Sequence, residues 1–130
     1  GSATAYLADN TSTEKNYVDP ISEYGGDVSA VSNITIKWDD SATDEQKMER
    51  LITQKWIAMF PNGQEGWGDI RRTGYPKVFP LAQSTDYSIQ VANRIPFDID
   101  EATNNKANYI KAVQLLKGND DYATKMWWQR

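Results

Sequence analysis

Gln54-Lys55-Trp56-Ile57-Ala58-Met59-Phe60 runs into Pro61-Asn62-Gly63, then Glu65 and Trp67, and closes on Arg71-Arg72-Thr73-Gly74-Tyr75-Pro76. This stretch decides the fold because it holds a helix, its stop, a second helix and a second stop. The first helix begins just after Thr43. Thr43 and Gln46 form a capping-box pair, and Asp44 and Glu45 put negative charge at the helix N-terminus. Met48, Leu51, Ile52, Trp56 and Met59 share one face at helical spacing, with Lys47, Arg50 and Gln54 opposite, which predicts that the apolar face is buried. From Trp56 to Phe60 the apolar residues are continuous, so that end is expected to be enclosed on nearly all sides. Pro61-Asn62-Gly63 ends the helix.

The second helix is intrinsically poor. Gly66 and Gly68 each cost about 1 kcal/mol relative to Ala, so tertiary contacts must hold it. Its pitch stacks Glu65, Asp69 and Arg72 on one side and Trp67, Ile70 and Arg71 on the other. Gly74 is placed to take the left-handed conformation after the last turn, and Pro76 forbids continuation.

Outward from this centre the chain is less regular. Residues 3–8 read as the end of a helix, followed by the polar breaker at residues 9–13. Pro20 interrupts an apolar stretch, and Gly25-Gly26 marks a turn. Val31, Ile34, Ile36 and Trp38 fit a short strand and a long ordered loop equally. Residues 77–93 read as loop, with a short extended piece at most around Val78-Phe79. Residues 98–101 predict a brief helical turn. A last helix over residues 105–116 places Tyr109, Ala112, Val113 and Leu116 on one stripe, closed by Gly118. Asn119-Asp120-Asp121 turns the chain, and residues 125–129 are expected to be extended. The expected fold class is mainly α with long irregular loops and little β, in a single domain over residues 3–130.

Charge and composition exclude several functions. Fourteen Lys and Arg against eighteen Asp and Glu leave a net charge of -4, unsuited to a nucleic-acid backbone. Mean hydropathy is -0.69 and the pI is near 4.8, although five Trp, seven Tyr and three Phe supply ample aromatic surface. No apolar run approaches the roughly 20 residues that span a bilayer. Without Cys there are no disulfides and no thiolate metal sites, and without His the commonest general base and metal ligand are both missing. Gly1-Ser2 reads as a tag remnant, and a lipid anchor, if the protein has one, would lie in a part this chain lacks.

Glu65 and Asp69 are the nearest approach to paired catalytic carboxylates. Glycoside hydrolysis needs two such groups about 5 to 9 Å apart across a cleft, one of them protonated. Arg72 on the same helix face predicts ion-paired carboxylates instead, so no catalytic residue is assigned. Asp39, Asp40 and Asp44, or Asn119, Asp120 and Asp121, lack the alternating pattern of a calcium loop, and turn and capping roles account for them. No metal or cofactor is expected. Among the aromatics, Trp56 and Trp67 lie at core spacing, and Trp127-Trp128 point to opposite faces if extended. Tyr24, Tyr87 and Tyr122, in loop contexts, remain as exposed candidates for ligand contact.

Taken together these residues resemble the SusD/RagB-like outer-membrane lipoproteins of Bacteroidetes. The resemblance rests on residues 52–58, the Asn62-Gly63 corner, Glu65, Trp67, and the Arg71-Arg72-Thr73-Gly74-Tyr75-Pro76 run. Farther on come Arg94, Pro96 and Phe97, then Asn104-Asn105 and a closing Trp127-Trp128. It covers residues 34–128. Asn93 stands where a second Arg is usual, Lys117 replaces the first of a Gly-Gly pair, and Gly66 and Gly68 replace better helix formers. The resemblance implies the C-terminal part of an α-helical, tetratricopeptide-containing fold. It also implies a non-enzymatic, surface-exposed protein that captures oligosaccharides for a SusC-like TonB-dependent transporter, anchored to the outer membrane by lipid. Trp56, Glu65, Trp67, Asp69, Arg71, Arg72, Gly74, Pro76, Arg94, Pro96, Trp127 and Trp128 are architectural in that reading. The isolated chain is expected to bind sugars weakly or not at all and to self-associate. A helical interaction piece with no sugar site is the alternative, and a stand-alone carbohydrate-binding module, usually all-β, fits less well.

Overall fold

The computed structural model describes residues 1–20, 27–79 and 91–129. Tyr24, Tyr87, the Gly25-Gly26 turn and most of the loop expected over residues 77–93 lie outside them. Five helices follow one another: α1 (Ala3–Leu7), α2 (Asp44–Ala58), α3 (Gly63–Thr73), α4 (Ile99–Asn104) and α5 (Lys106–Leu116). Among the described residues the sole β pairing is an isolated antiparallel bridge between Tyr17 and Val28. The molecule is mainly α, as the periodicity predicts.

The caps show why the helices begin where they do. Thr43 Oγ1 accepts from the Gln46 N–H and Gln46 Oε1 accepts from the Thr43 N–H, so the capping box of α2 is complete. Asn62 caps α3 by accepting from the Glu65 N–H, and Gly74 ends it at φ 80°, donating its N–H to the Ile70 carbonyl at 2.7 Å. Asp98 caps α4, a longer helix than the single turn expected. On α5 the predicted stripe holds. Tyr109, Ala112, Val113 and Leu116 are its half-buried residues, and the rest of the helix is exposed. Its left-handed terminal residue is Lys117 at φ 55°, not Gly118. Gly118 is fixed by crowding instead, since a Cβ there would stand 2.8 Å from the Thr124 methyl.

Before α2 the chain is strapped on by side chains. Tyr6 donates its hydroxyl to Gln54 Oε1 at 3.1 Å, tying α1 to α2. Glu14 accepts from the Val31 and Ser32 N–H groups, and the Ser32 hydroxyl donates to Glu49 Oε1 at 2.6 Å. Arg50 donates from Nε to the Thr35 carbonyl. Residues 31–38 are therefore an ordered loop. Glu14 takes the Val31 and Ser32 N–H groups, Arg50 the Thr35 carbonyl, and the Asp9 carbonyl the Lys37 N–H, in place of a partner strand.

The core corrects the helical wheel. Among the described residues Ile52 and Pro76 are the buried apolar side chains, accompanied by the buried polar residues Asp19, Glu49, Asp69 and Arg94. Trp56 is 45% exposed, and Leu51, Ile57 and Phe60 are exposed as well. The buried face of α2 centres on Glu49 and Ile52, rotated from the predicted stripe, and the Trp56–Phe60 end is not enclosed. A wheel assigns an apolar face but supplies no element to cover it. Trp56 nonetheless has a defined seat. A Cβ at Gly66 would lie 2.9 Å from its Cδ1, so the glycine lets the indole lie against α3. This is the tertiary contact that a glycine-weakened helix requires.

The C-terminal segment is also not extended. Gln129 donates its N–H to the Met126 carbonyl at 2.9 Å and its Nε2 to Asn93 Oδ1 at 3.0 Å, folding the end back as a turn. No helix among the described residues is long and apolar enough to cross a membrane.

Candidate functional site

Three places concentrate chemistry. The first lies between α2 and α3, where Asp69 is 2% exposed and ion-paired to Lys55 Nζ at 2.6 Å and to Arg72. The Thr73 hydroxyl donates to the Asp69 carbonyl at 2.7 Å. Glu65 does not join this cluster. It is exposed at the first turn of α3, where its negative charge favours the helix N-terminus. Asp69 thus has two cations and no route to a bound substrate, an arrangement that fastens α3 to α2. Arg72 and Lys55 shield it from water. Lys55 as the second partner escaped the sequence reading because it comes from the other helix.

The second place is a cleft of about 260 Å3 between α1, the loop before α2, and α2 itself. Tyr6, Glu14, Thr35, Arg50, Gln54 and Ile57 are among its walls. Most of its polar groups already have partners within the protein.

The third is at the C-terminus, where α3, the 91–97 segment and the last residues meet. Arg94, 6% exposed, donates from Nη1 to Asp120 Oδ1 at 2.5 Å. The same carboxylate accepts from the Phe97 N–H at 3.1 Å and from the Tyr109 hydroxyl at 3.1 Å. Burial pushes the Asp120 carboxyl up, but these bonds and the Arg94 charge outweigh it and hold the group below the usual range. The bond to Asp120 in turn raises the Tyr109 phenol. Phe97 meets Tyr109 edge to face at 6.1 Å, and the Arg94 guanidinium lies 4.9 Å from the Phe97 ring centre. Arg94 and Phe97 thus tie the 91–97 segment to Asp120 and to Tyr109 of α5.

Beside this knot the Arg71 guanidinium sits between two indoles, 4.1 Å from the Trp67 ring centre and 4.5 Å from that of Trp128. Trp67 is held by donating its Nε1–H to the Ala92 carbonyl at 2.6 Å. The adjacent rings diverge: Trp128 is 39% exposed and Trp127 is 91% exposed. The spacing of Trp67 and Arg71, four apart on α3, carried a signal for this stack. Its second indole came from the far end of the chain and was not legible.

Of the three tyrosines singled out, Tyr122 is exposed, with its carbonyl accepting from the Asn93 N–H. Tyr24 and Tyr87 lie outside the described residues. The aspartates of the two turns serve the backbone. Asp39 accepts from the Ser41 N–H and hydroxyl, Asp40 from the Trp38 indole, and Asp121 from the Ala123 and Thr124 N–H groups. These bonds hold Asp39 and Asp121 below the usual carboxylate range. Among the described residues no three acidic, His or Cys side chains gather as a metal site.

Comparison with known proteins places this geometry. A family model described as SusD-like, for SusD and RagB outer membrane lipoproteins, matches residues 1–129. A chitin-binding SusD homolog from Flavobacterium johnsoniae superposes with a TM-score of 0.82 at 41% identity, over 98% of this chain and 27% of its own. A SusD-like protein from Bacteroides thetaiotaomicron gives a TM-score of 0.82 at 44% identity, over 99% of this chain and 28% of its own. A SusD homolog from Bacteroides uniformis gives 0.79 at 39% identity, over 100% and 28%. The chain therefore spans little more than a quarter of the length of these solved structures. No curated protein is similar to it at a significant level.

Proposed function

Because this chain belongs to the SusD-like family of outer membrane lipoproteins, we propose that it is the C-terminal part of a surface protein that captures oligosaccharides. The captured chain passes to a SusC-like TonB-dependent transporter for import. The whole protein sits on the outer membrane through a lipid anchor outside this chain. The observation that carries the reading is a family match over residues 1–129, joined to 41% identity with a homolog described as chitin-binding.

The part played by these 130 residues is mainly architectural. The buried charged groups, Asp69 with Lys55 and Arg72, and Arg94 with Asp120, fasten elements to one another. The protein works by binding, without bond cleavage. Asp69 is committed to two cations, and Glu65 stands alone at a helix start, so the pair does not form a general acid and a nucleophile.

Calorimetry of the parent protein against a panel of chito-, gluco- and xylo-oligosaccharides tests capture, with the purified transporter added in a second series. Saturable binding without hydrolysis products, and co-elution with the transporter, is the expected result. Glycan release of reducing ends by the protein, or no saccharide binding at all, would overturn it.

A further inference from the structure

Among the described residues Arg71 is a cation without an anion. The ion pairs among the described residues engage Lys55, Arg72, Lys77 and Arg94, and none reaches Arg71. Its buried Nε–H has no hydrogen-bond partner. Burial alone pushes its pKa down, the mark of a charge removed from water without compensation. The neighbouring Arg72 and the more deeply buried Arg94 both have carboxylates. The difference is the pair of indoles. Trp67 and Trp128 both lie within cation–π distance of the guanidinium and take the place of a carboxylate beside it. A guanidinium fixed in plane presents parallel N–H groups that match the two oxygens of a carboxylate.

The space beside it suits a sugar. Arg71 lines a hollow of about 310 Å3, whose walls include Trp67, Ile95, Phe97, Leu116 and Met126. Leu116 and Met126 are shared with a second hollow of about 410 Å3, walled by Lys117 and by Trp127. The almost fully exposed Trp127 ring offers a flat apolar face of the kind that stacks on a pyranose. Lys117 adds a second positive charge. A peptide carboxylate would bring an extended backbone in search of a strand edge, and the described residues form no strand at this surface.

We propose that this C-terminal surface is a subsite for an acidic glycan, in which Arg71 takes the carboxylate of a uronic acid residue and Trp127 stacks on the neighbouring sugar. The subsite rests on the glycan-capture reading and narrows it to a charged class of saccharide. Its contribution in this chain alone is weak, since one fork and one platform hold the ligand.

The test is a titration of the 130-residue chain with glucuronate, followed through the indole N–H resonances, with glucose as the neutral control. Glucuronate should shift the Trp67 and Trp128 signals saturably and glucose should not. Arg71→Met should weaken binding at least about tenfold, and about 0.5 M salt should weaken the unsubstituted chain. If Arg71→Met unfolds, Arg71→Lys keeps the charge and loses the fork. It should bind several-fold more weakly, and unchanged affinity would overturn the proposal. Trp127→Ala should lower the affinity for a uronate-containing disaccharide and leave that for glucuronate unchanged. An equal response to glucose, no saturable shift, or tighter binding of a short peptide with a free C-terminal carboxylate would each overturn it. Binding of neutral oligosaccharides by the parent protein while glucuronate stays silent defeats the subsite and leaves glycan capture standing. Binding of no saccharide defeats both.

Discussion

At the scale of single residues, Asp120 ties together three separate parts of the C-terminal region. One carboxylate receives Arg94, the Phe97 N–H and the Tyr109 hydroxyl, and Arg94 is nearly buried. Removing it strands a buried guanidinium. Asp120→Ala is expected to cost about 3–5 kcal/mol in urea unfolding, the range for breaking one side of a buried pair. A loss within experimental error would show that Arg94 finds water or another acceptor. Trp56 is the opposite case. Half-exposed and resting on Gly66, it should lose only about 1–2 kcal/mol on replacement by Ala in this chain, from partial apolar burial. The same unfolding experiment checks it, and a cost above about 4 kcal/mol would restore the fully buried reading.

At the scale of elements, the two glycines of α3 separate cleanly. Gly66 faces the Trp56 ring, whereas a Cβ at Gly68 would meet nothing within 4 Å. Gly68→Ala should therefore stabilise the chain by about 0.5–1 kcal/mol through helix propensity. Gly66→Ala should return less, because the indole must shift. Thermal unfolding of the two variants side by side checks the order, and a larger gain at Gly66 would dismiss the contact. The elements themselves were largely legible. Thr43 with Gln46 fixed the start of α2, Gly74 fixed the end of α3, and the Tyr109-to-Leu116 stripe fixed the inward face of α5. Those signals are local, set by hydrogen bonds within one turn or by side chains on one helix. The buried ion pairs were not legible. Lys55 to Asp69 and Arg94 to Asp120 join residues 14 and 26 positions apart, and no periodicity specifies which of many charged residues will meet. The Trp128 half of the Arg71 stack failed for the same reason.

Over the whole molecule, the depressed carboxylates predict that stability falls on the acid side. Asp9 is held far below its usual value by bonds from Ser12 and Thr11, and Asp39, Asp120 and Asp121 are held low as well. Their folded values lie below the unfolded one, so each contributes stability that is present above about pH 5 and lost as the pH falls through the folded values. The urea midpoint should fall between about pH 6 and pH 3. A midpoint that holds or rises would mean the unfolded chain keeps the same bonds. Scale also decides solubility. Leu7, Val18, Phe60, Ile95, Ile99, Leu115 and Trp127 are all exposed, whereas Ile52 and Pro76 are the buried apolar side chains among the described residues. Apolar surface of that extent is usually a contact. Sedimentation of the isolated chain should show a weight-average mass that rises with concentration, and a monomer at all concentrations would count against it.

The Arg94–Asp120 pair has one more result. It joins the two ends of a segment that contains α4 and α5, neither of which has a buried residue. The helical pair hangs from the body at one fastened neck. Foreign sequence spliced in at its tip, between Asn104 and Lys106, would lengthen the appendage without loosening the neck. The joint is a natural port for grafting a reporter or an epitope.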